Sequence, residues 1–445
     1  MPANTNVRLQ NEVIYSVFVR DHTQEGTFRA LIGDLPRIHA LGCDIVWLLP
    51  IHPLGEKNRK GSLGSPYANR DYRGINPEYG TMEDFRALVD AIHTEGMRCM
   101  IDVVYHHTSP DSVLWEAHPE WFYRKPDGRP GNHVGDWSDV VDLDFDQPAL
   151  WDYLIETLVG WARVVDGFRC DVASLVPVGF WERARRAVAE VNPDCVWLAE
   201  TVHRSFGAEM RRRGLTYMSD TEGYRAFDIE YSYDIWETFE RWLAGAAPLS
   251  HLLDLLDFQD AVYPAGYNKL RYLENHDQAR IASRVADDAA LRALTALIYF
   301  VKGTTLVYAG QEVGADHTPT LFDRDPIDWT VRHDLTPLMR RLADLKHHCL
   351  GADDLLRHVA DDERDIALVY REPSPAALGA PTAGAAKTTE QSRCYLGVFP
   401  LRGYGAEVSV DVPDGTYRDF LADTDVRVAN GRLACGSAPL ILAYK

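Results

Sequence analysis

Residues 167–171, GFRCD, form a short apolar run that ends in an arginine, a cysteine and an aspartate. Similar runs recur along the first three quarters of the chain, and longer stretches with helical periodicity separate them. The candidate strands are 12–19, 44–50, 97–103, 167–171, 195–199, 216–219, 270–274 and 304–309. Eight strands alternating with helices predict a (β/α)₈ barrel rather than a doubly wound open sheet, which is the alternative for this pattern.

The helical stretches carry recognisable start signals. Thr81 precedes Glu83 and Asp84, and Pro148 stands where a first helical turn would begin. The predicted helices are 81–95, 148–164, 179–191, 231–257, 288–301 and 334–348. Residues 108–147 interrupt this rhythm with Pro, Gly, His and Trp. They predict an inserted excursion after the third strand, on the face where barrel enzymes carry their active sites.

The pattern changes after residue 349. Short strands follow one another without helices, and turn residues separate them. The sequence therefore predicts two domains, a barrel over 1–349 and an all-β sandwich domain over 350–445. Residues 373–392 are rich in Ala, Pro, Gly and Thr and predict a loop inside the second domain.

Composition narrows the function classes. The 445 residues carry a formal charge of −20, which disfavours nucleic acid and anionic membrane surfaces as partners. The seven cysteines are widely spaced and contain no CxxC pair, so the sequence indicates neither a zinc site nor a disulfide framework. The N-terminal residues lack the apolar stretch of a signal peptide, which leads us to expect a cytoplasmic location.

Acidic side chains gather where the predicted strands end. Asp102, Asp171, Glu200 and Asp277 each follow or close a different strand, with Arg169 beside Asp171. Because strand C-termini face the active site of a barrel, these groups should converge. Glycoside cleavage needs such carboxyls, since one must protonate the leaving oxygen while another attacks the sugar or activates water.

The neighbours of the two central acids suggest a division of labour. Arg169 and Asp171 lie two apart on one strand and point the same way, so the guanidinium should lower the pKa of Asp171 and keep it ionised. Glu200 follows an apolar strand, which should raise its pKa as a general acid requires. A divalent cation bound by the acids is the competing interpretation of such a cluster.

Six short stretches give the sequence a family resemblance. DVVYHHTS (102–109), GFRCDVA (167–173), WLAE (197–200) and ENHD (274–277) resemble the four conserved regions of the α-amylase family, glycoside hydrolase family 13. SPYANRDY (65–72) and GTTLVYAGQE (303–312) are two further matches. The resemblance covers the barrel from about residue 12 to 349.

The resemblance implies a role for each matched residue. Asp171 would be the nucleophile, Glu200 the acid/base and Asp277 the transition-state stabiliser. Arg169, His107 and His276 would bind the sugar at the cleavage point, and Tyr67 would stack on its ring. Asp102 would orient Arg169 and Tyr67.

One departure concerns the metal that many family members hold. The first region usually carries an Asn that binds Ca²⁺, and here that position is His106. The excursion 108–147 is also short for the family's calcium-binding subdomain. We therefore predict no structural calcium, no metal ligand among the site residues and no cofactor.

The expected substrate is a short linear or cyclic α-gluco-oligosaccharide, cleaved at α-1,4 or α-1,6 linkages. Val172-Ala173 after the nucleophile is similar to cyclomaltodextrinases, and Thr201 is similar to some α-1,6-cleaving members. The mixture resembles small intracellular enzymes of the cyclomaltodextrinase and cyclic maltosyl-maltose hydrolase kind, among which homodimers occur. A transglycosylase using the same carboxylates, a non-catalytic sugar-binding protein and a divalent-metal hydrolase are the alternatives.

Overall fold

Eight parallel strands close into a barrel in a computed structural model that describes residues 1–2, 4–135, 137–374 and 393–444. The strands are β1 Val13–Val17, β2 Ile45–Leu48, β3 Arg98–Val103, β4 Gly167–Cys170, β5 Val196–Ala199, β6 Ile229–Tyr231, β7 Lys269–Arg271 and β8 Thr304–Tyr308. Each strand pairs with its neighbour in the sequence, and β8 returns to β1 with Thr305 opposite Val13. The predicted (β/α)₈ barrel is confirmed.

Helices surround the barrel, and their starts follow the sequence signals. Thr81 and Asp84 form a reciprocal capping box at one of them, and Pro148 opens another. The helices of four or more residues are Val19–His22, Phe28–Ile32, Leu35–Ala40, Met82–Thr94, Val113–Ala117, Pro148–Trp161, Val178–Ala189, Arg204–Arg212, Asp220–Gly223, Tyr233–Leu243, Leu249–Val262, Ile281–Arg284, Asp288–Phe300 and Thr336–His348. In the part of the chain that the structure describes, no helix is long and apolar enough to cross a membrane.

The sixth strand is not where the sequence predicts it. Residues 216–219 form no strand, and β6 is Ile229–Tyr231. Its acidic Glu230 is fully buried and contacts Lys269 of β7. Because the strand contains this charged residue, it is not an apolar run, and the sequence pattern does not indicate it. The single predicted helix 231–257 is also wrong, because Gly245 at φ +72° and Pro248 divide it into two helices.

The excursion after β3 is short and has its own small frame. His107–Thr108 pair antiparallel with Val141–Asp142, which brings the two ends of the excursion together beside the barrel mouth. The helix Val113–Ala117 and the 3₁₀ turn Pro119–Trp121 lie between them. This pairing places His107 near the carboxyl ends of the barrel strands.

The C-terminal part is all β, as the sequence predicts. Its strands are β9 Leu355–Asp361, β10 Ile366–Glu372, β11 Cys394–Pro400, β12 Ala406–Ser409, β13 Gly415–Arg418, β14 Asp425–Ala429, β15 Arg432–Cys435 and β16 Leu440–Tyr444. They form two four-stranded sheets, ordered β9-β10-β11-β16 and β12-β15-β14-β13, with a second apolar core between them. Of the predicted loop 373–392, residues 375–392 lie outside the described residues.

Candidate active site

The carboxyl ends of the barrel strands bring the sequence-predicted acids together. Asp102 lies in β3, Arg169 in β4, and Asp171 directly after β4. Glu200 follows β5 immediately, and His276 and Asp277 follow β7. Parallel strands place all of these residues at one end of the barrel.

Arg169 joins three of the acids. Its Nη1 donates to Asp102 at 2.9 and 3.0 Å and to Asp171 Oδ1 at 2.8 Å. Its Nη2 lies 3.0 Å from Glu200 Oε1. Arg169 and Asp102 have no exposed side-chain surface, whereas Asp171 and Glu200 keep 8% and 9%. The two outer acids therefore face the cleft, while Asp102 supports the guanidinium from below.

Val172 adds a contact that the sequence does not reveal. This β-branched residue has left-handed backbone angles, φ 34° and ψ 44°, which are costly for its shape. The conformation directs its N–H to Glu200 Oε2 at 2.7 Å. Backbone strain next to Asp171 thus fixes the orientation of Glu200.

Tyr67 and His276 are stacked on each other and contact two of the acids. Their rings stack with centroids 5.4 Å apart and planes 13° apart. The Tyr67 hydroxyl donates to Asp102 Oδ2 at 3.0 Å and lies 2.7 Å from His276 Nε2. Asp277 Oδ2 is 3.1 Å from the same His276 nitrogen, and the Asp277 side chain is 41% exposed. Asp277 is thus held by His276 but remains open to a ligand.

His107 reaches the site from the excursion. Its Nε2 is 3.8 Å from Asp171 Oδ2, which is too long for a hydrogen bond. Its Nδ1 faces His106 Nδ1 at 3.1 Å. Burial lowers the pKa of both imidazoles to about 4, so both are neutral at neutral pH.

The two central acids have raised pKa values. Burial raises the pKa of Glu200 to about 8, in the direction that its apolar strand predicts. Burial also raises the pKa of Asp171 to about 7, which corrects the expectation that Arg169 lowers it. The charge of Arg169 does lower the pKa of Asp171. However, the charge of Asp102 raises this pKa, and desolvation raises it by more than Arg169 lowers it. Burial thus favours the protonated form of both carboxyls.

Asp277 differs from both. Desolvation, which raises its pKa, is outweighed by the charges of His276 and Arg169, so its pKa is lowered and it stays ionised. The site therefore combines a carboxyl that holds its proton with a carboxylate that does not.

The sequence analysis did not predict two aromatic rings that lie beside Arg169. Trp47 and Tyr231 lie with their ring centroids 5.3 and 5.5 Å from the guanidinium carbon of Arg169. Tyr231 ends β6, the strand that the sequence places elsewhere. Trp47 lies near the carboxyl end of β2, where barrel strands supply active-site residues, so its position could have indicated it.

The family's calcium does not fit the donors at this site. His106 stands at the position where many members have Asn, and the polar groups facing it are His107 and Asp142. Calcium prefers six to eight oxygen ligands, whereas two of these three groups offer imidazole nitrogen.

Two sequence models of known families match the chain. One, described as the catalytic domain of alpha amylase, matches residues 13–128 and 133–367. The other, described as the bacterial alpha amylase C-terminal domain, matches residues 359–442. The chain belongs to the alpha-amylase family.

Solved structures of alpha-amylases are similar to this one over nearly the whole chain. An alpha-amylase from Lactobacillus plantarum is 43% identical, with a TM-score of 0.91, and covers 99% of this chain and 100% of its own. The noncanonic maltogenic alpha-amylase AmyB from Thermotoga neapolitana is 31% identical, with a TM-score of 0.84, and covers 98% and 99%.

Two curated relatives are longer than this chain. The intracellular maltogenic amylase of Bacillus subtilis is 26% identical over 362 residues, which are 77% of this chain and 59% of that protein. An alpha-1,4-glucan:maltose-1-phosphate maltosyltransferase of Pseudomonas aeruginosa is 35% identical over 256 residues, 52% of this chain and 37% of that protein. The chain thus spans less than two thirds of the length of either relative.

Proposed function

We propose that this alpha-amylase family member is a retaining α-glucoside hydrolase. Its substrates would be short linear or cyclic gluco-oligosaccharides with α-1,4 linkages, and α-1,6 linkages are the second candidate. One observation carries the proposal: a single buried guanidinium holds Asp171 and Glu200 at 2.8 and 3.0 Å. Two carboxyls that share one guanidinium lie near each other, and this supports the short separation that a retaining mechanism requires.

The first step breaks the glycosidic bond. Asp171 attacks the anomeric carbon, while protonated Glu200 gives its proton to the departing oxygen. The products are a glycosyl ester on Asp171 and a sugar alcohol. Asp277, which stays ionised beside His276, stabilises the positive charge that develops on the ring.

The second step returns the enzyme to its starting state. Glu200, now a carboxylate, takes a proton from water, and the resulting hydroxide attacks the anomeric carbon. The ester bond to Asp171 breaks, and the sugar leaves as the α-anomer. The stacked Tyr67 ring, His107 and Arg169 surround the position of this sugar. The chemistry uses carboxyl groups at every step, so we propose that the reaction itself needs no cofactor.

Two measurements test the mechanism. Glu200→Gln should accumulate a glycosyl-enzyme from an α-glucosyl fluoride, because fluoride leaves without an acid but water then lacks its base. Intact-mass spectrometry would show the added sugar, and Asp171→Asn is the matched control that should show none. NMR of the first wild-type product should show the α-anomer. A β-anomer would overturn retention.

The runner-up is a transglycosylase. A sugar hydroxyl would replace water in the second step, and a maltosyltransferase among the relatives favours this candidate. Product chains longer than the substrate, formed at high oligosaccharide concentration, would favour transfer over hydrolysis. A panel of linear and cyclic α-1,4 and α-1,6 oligosaccharides would identify the linkage.

We also propose a cytoplasmic location and a homodimer for this protein. A relative is described as intracellular, which supports the first. The charge of −20 argues against nucleic acid and anionic lipid partners. Cell fractionation and light scattering of the purified protein test the two proposals.

A further inference from the structure

Beside the cleft, the excursion after β3 brings three donor groups together. His106, His107 and Asp142 are all buried, and one donor atom from each lies within 4.8 Å of the others. His106 and His107 follow β3, whereas Asp142 comes from the far end of the excursion. The proposed hydrolysis gives His106 and Asp142 no role.

Two of the three spacings between the donor atoms are close to those of a tetrahedral metal site. The Nδ1 atoms of His106 and His107 face each other at 3.1 Å, and Asp142 Oδ1 lies 3.7 Å from His106 Nδ1. Zinc binds imidazole and carboxylate at about 2.0–2.2 Å, so ligand atoms in a tetrahedron stand about 3.3 Å apart. The observed spacings bracket this value.

Asp142 shows an unused acceptor. Its Oδ2 accepts from the backbone N–H of His133 at 2.7 Å and lies 2.7 Å from His133 Nδ1. Its Oδ1 is buried and has no hydrogen-bond partner among the described residues. A buried carboxylate oxygen without a donor is costly, and here it points at two imidazoles. Carboxylate ligands of metals are commonly held by a hydrogen bond to their second oxygen, and His133 supplies that bond.

The surroundings would protect an ion and still admit it. Trp137 packs against both imidazoles, with ring centroids 5.9 Å from His106 and 5.4 Å from His107. On the other side, His106 and His133 line a cavity of about 340 Å³ that opens to solvent. A metal site needs such an entry path.

We propose that His106, His107 and Asp142 bind one divalent transition-metal ion of the zinc type, with His133 positioning the carboxylate. This departs from the sequence prediction, which places no metal ligand among the site residues. The fourth position would face the cavity and hold water. The ion would tie both ends of the excursion together. Bound at Nδ1 of His107, it would also fix the proton of that imidazole on Nε2, the nitrogen that faces Asp171.

The test measures the ion, not the reaction. Wild-type protein stripped with a chelator is titrated with Co²⁺, whose visible absorption reports tetrahedral coordination, and bound Zn²⁺ is counted by elemental analysis. We expect one ion per chain. A roughly hundredfold excess of Ca²⁺ should not displace it, because calcium prefers oxygen ligands.

Three variants locate the ion. His106→Gln and Asp142→Asn should abolish Co²⁺ absorption, and His133→Gln should weaken binding by about 10- to 100-fold. His118→Gln is the matched control, because His118 lies in the same excursion but its ring stacks on Trp121 away from the cluster. Circular dichroism confirms that each variant is folded.

Two results would overturn the proposal. Folded wild-type protein that takes up no Co²⁺ or Zn²⁺ would show that His106 and His107 form only a hydrogen bond to each other. Uptake that persists in folded His106→Gln and Asp142→Asn would place the ion elsewhere. Because binding is read without substrate, failure here leaves the proposed hydrolysis standing, and failure of hydrolysis leaves this site standing.

Discussion

Arg169 is the residue that links the acidic side chains of the site to one another. Its guanidinium is fully buried, contacts three carboxyl groups and lies among the rings of Trp47, Tyr67 and Tyr231. The planar guanidinium of an arginine can donate hydrogen bonds to carboxyl groups in several directions at once, whereas the ammonium of a lysine is a compact point charge. The relative positions of Asp171 and Glu200 therefore depend on one side chain.

Replacing this side chain tests that dependence. We expect Arg169→Lys to lower kcat on the order of a hundredfold or more, since a lysine cannot hold Asp171 and Glu200 together. Steady-state kinetics on a maltooligosaccharide would measure the loss. Arg183→Lys is the control, because Arg183 pairs with Asp152 on the exposed helical surface. Equal, small losses in both variants would contradict the role of Arg169.

The raised pKa of Glu200 predicts how stability depends on pH. Its pKa moves from 4.5 to about 8 on burial, so between these values the unfolded chain ionises while the folded chain keeps the proton. The free energy of unfolding contributed by this group is thus complete below about 4.5 and decreases as pH rises towards 8.

Glu200→Gln removes this titration. The free energy of unfolding of the variant, relative to wild type, should increase with pH across the window from 4.5 to about 8, by up to about 1.4 kcal/mol per pH unit. Urea denaturation at several pH values measures the difference. A difference that does not change with pH would show that Glu200 titrates normally.

At the scale of elements, β6 and β7 depend on a buried charge cluster. Lys269 in β7 is fully buried and contacts Asp220 at 2.5 Å and Glu230 of β6 at 3.2 Å. The strands are only three residues long, and the ion pair between Glu230 and Lys269 joins them in addition to their backbone pairing. This ion pair allows an acidic residue to occupy the middle of a barrel strand.

Removing the cation should leave its partners unpaired. We expect Lys269→Met to lower the free energy of unfolding by about 3–5 kcal/mol, the usual effect of breaking a buried ion pair. Lys302→Met is the matched control, because Lys302 pairs with Asp260 near the surface. Urea denaturation compares the two. Similar midpoints for both variants would mean that the buried cluster contributes no more than a surface pair.

The same elements show how far sequence can predict this fold and site. Strands such as β2 and β5 are continuous apolar runs, and the sequence places them correctly. Strand β6 was missed because its buried Glu230 reads as a surface residue until Lys269 is beside it. At the site, residue type and strand-end position suffice for Asp171 and Glu200. The N–H of Val172 and the pairing of His106 with Asp142 depend on backbone angles and long-range contacts, which no local pattern encodes.

At the scale of the whole molecule, the barrel and the β domain share a core. Phe399 and Ile441 of the β domain belong to the same apolar cluster as the barrel helices, and the rings of Phe300 and Phe399 lie 5.6 Å apart. Arg371 of β10 is buried at this junction. It donates to the carbonyls of Phe300 at 2.6 Å and Gly351 at 2.7 Å.

A shared core predicts that the two parts unfold together. Differential scanning calorimetry of the wild type should show one transition, because neither part can expose the junction without losing buried apolar contacts.

Arg371→Met removes the two donors and leaves buried Asp354 without this cation. We expect one transition at a clearly lower Tm, with about 3–5 kcal/mol lost. Arg357→Met is the control and should change Tm little, because half-exposed Arg357 pairs with the exposed Asp411. Two separate wild-type transitions would show that the domains unfold independently.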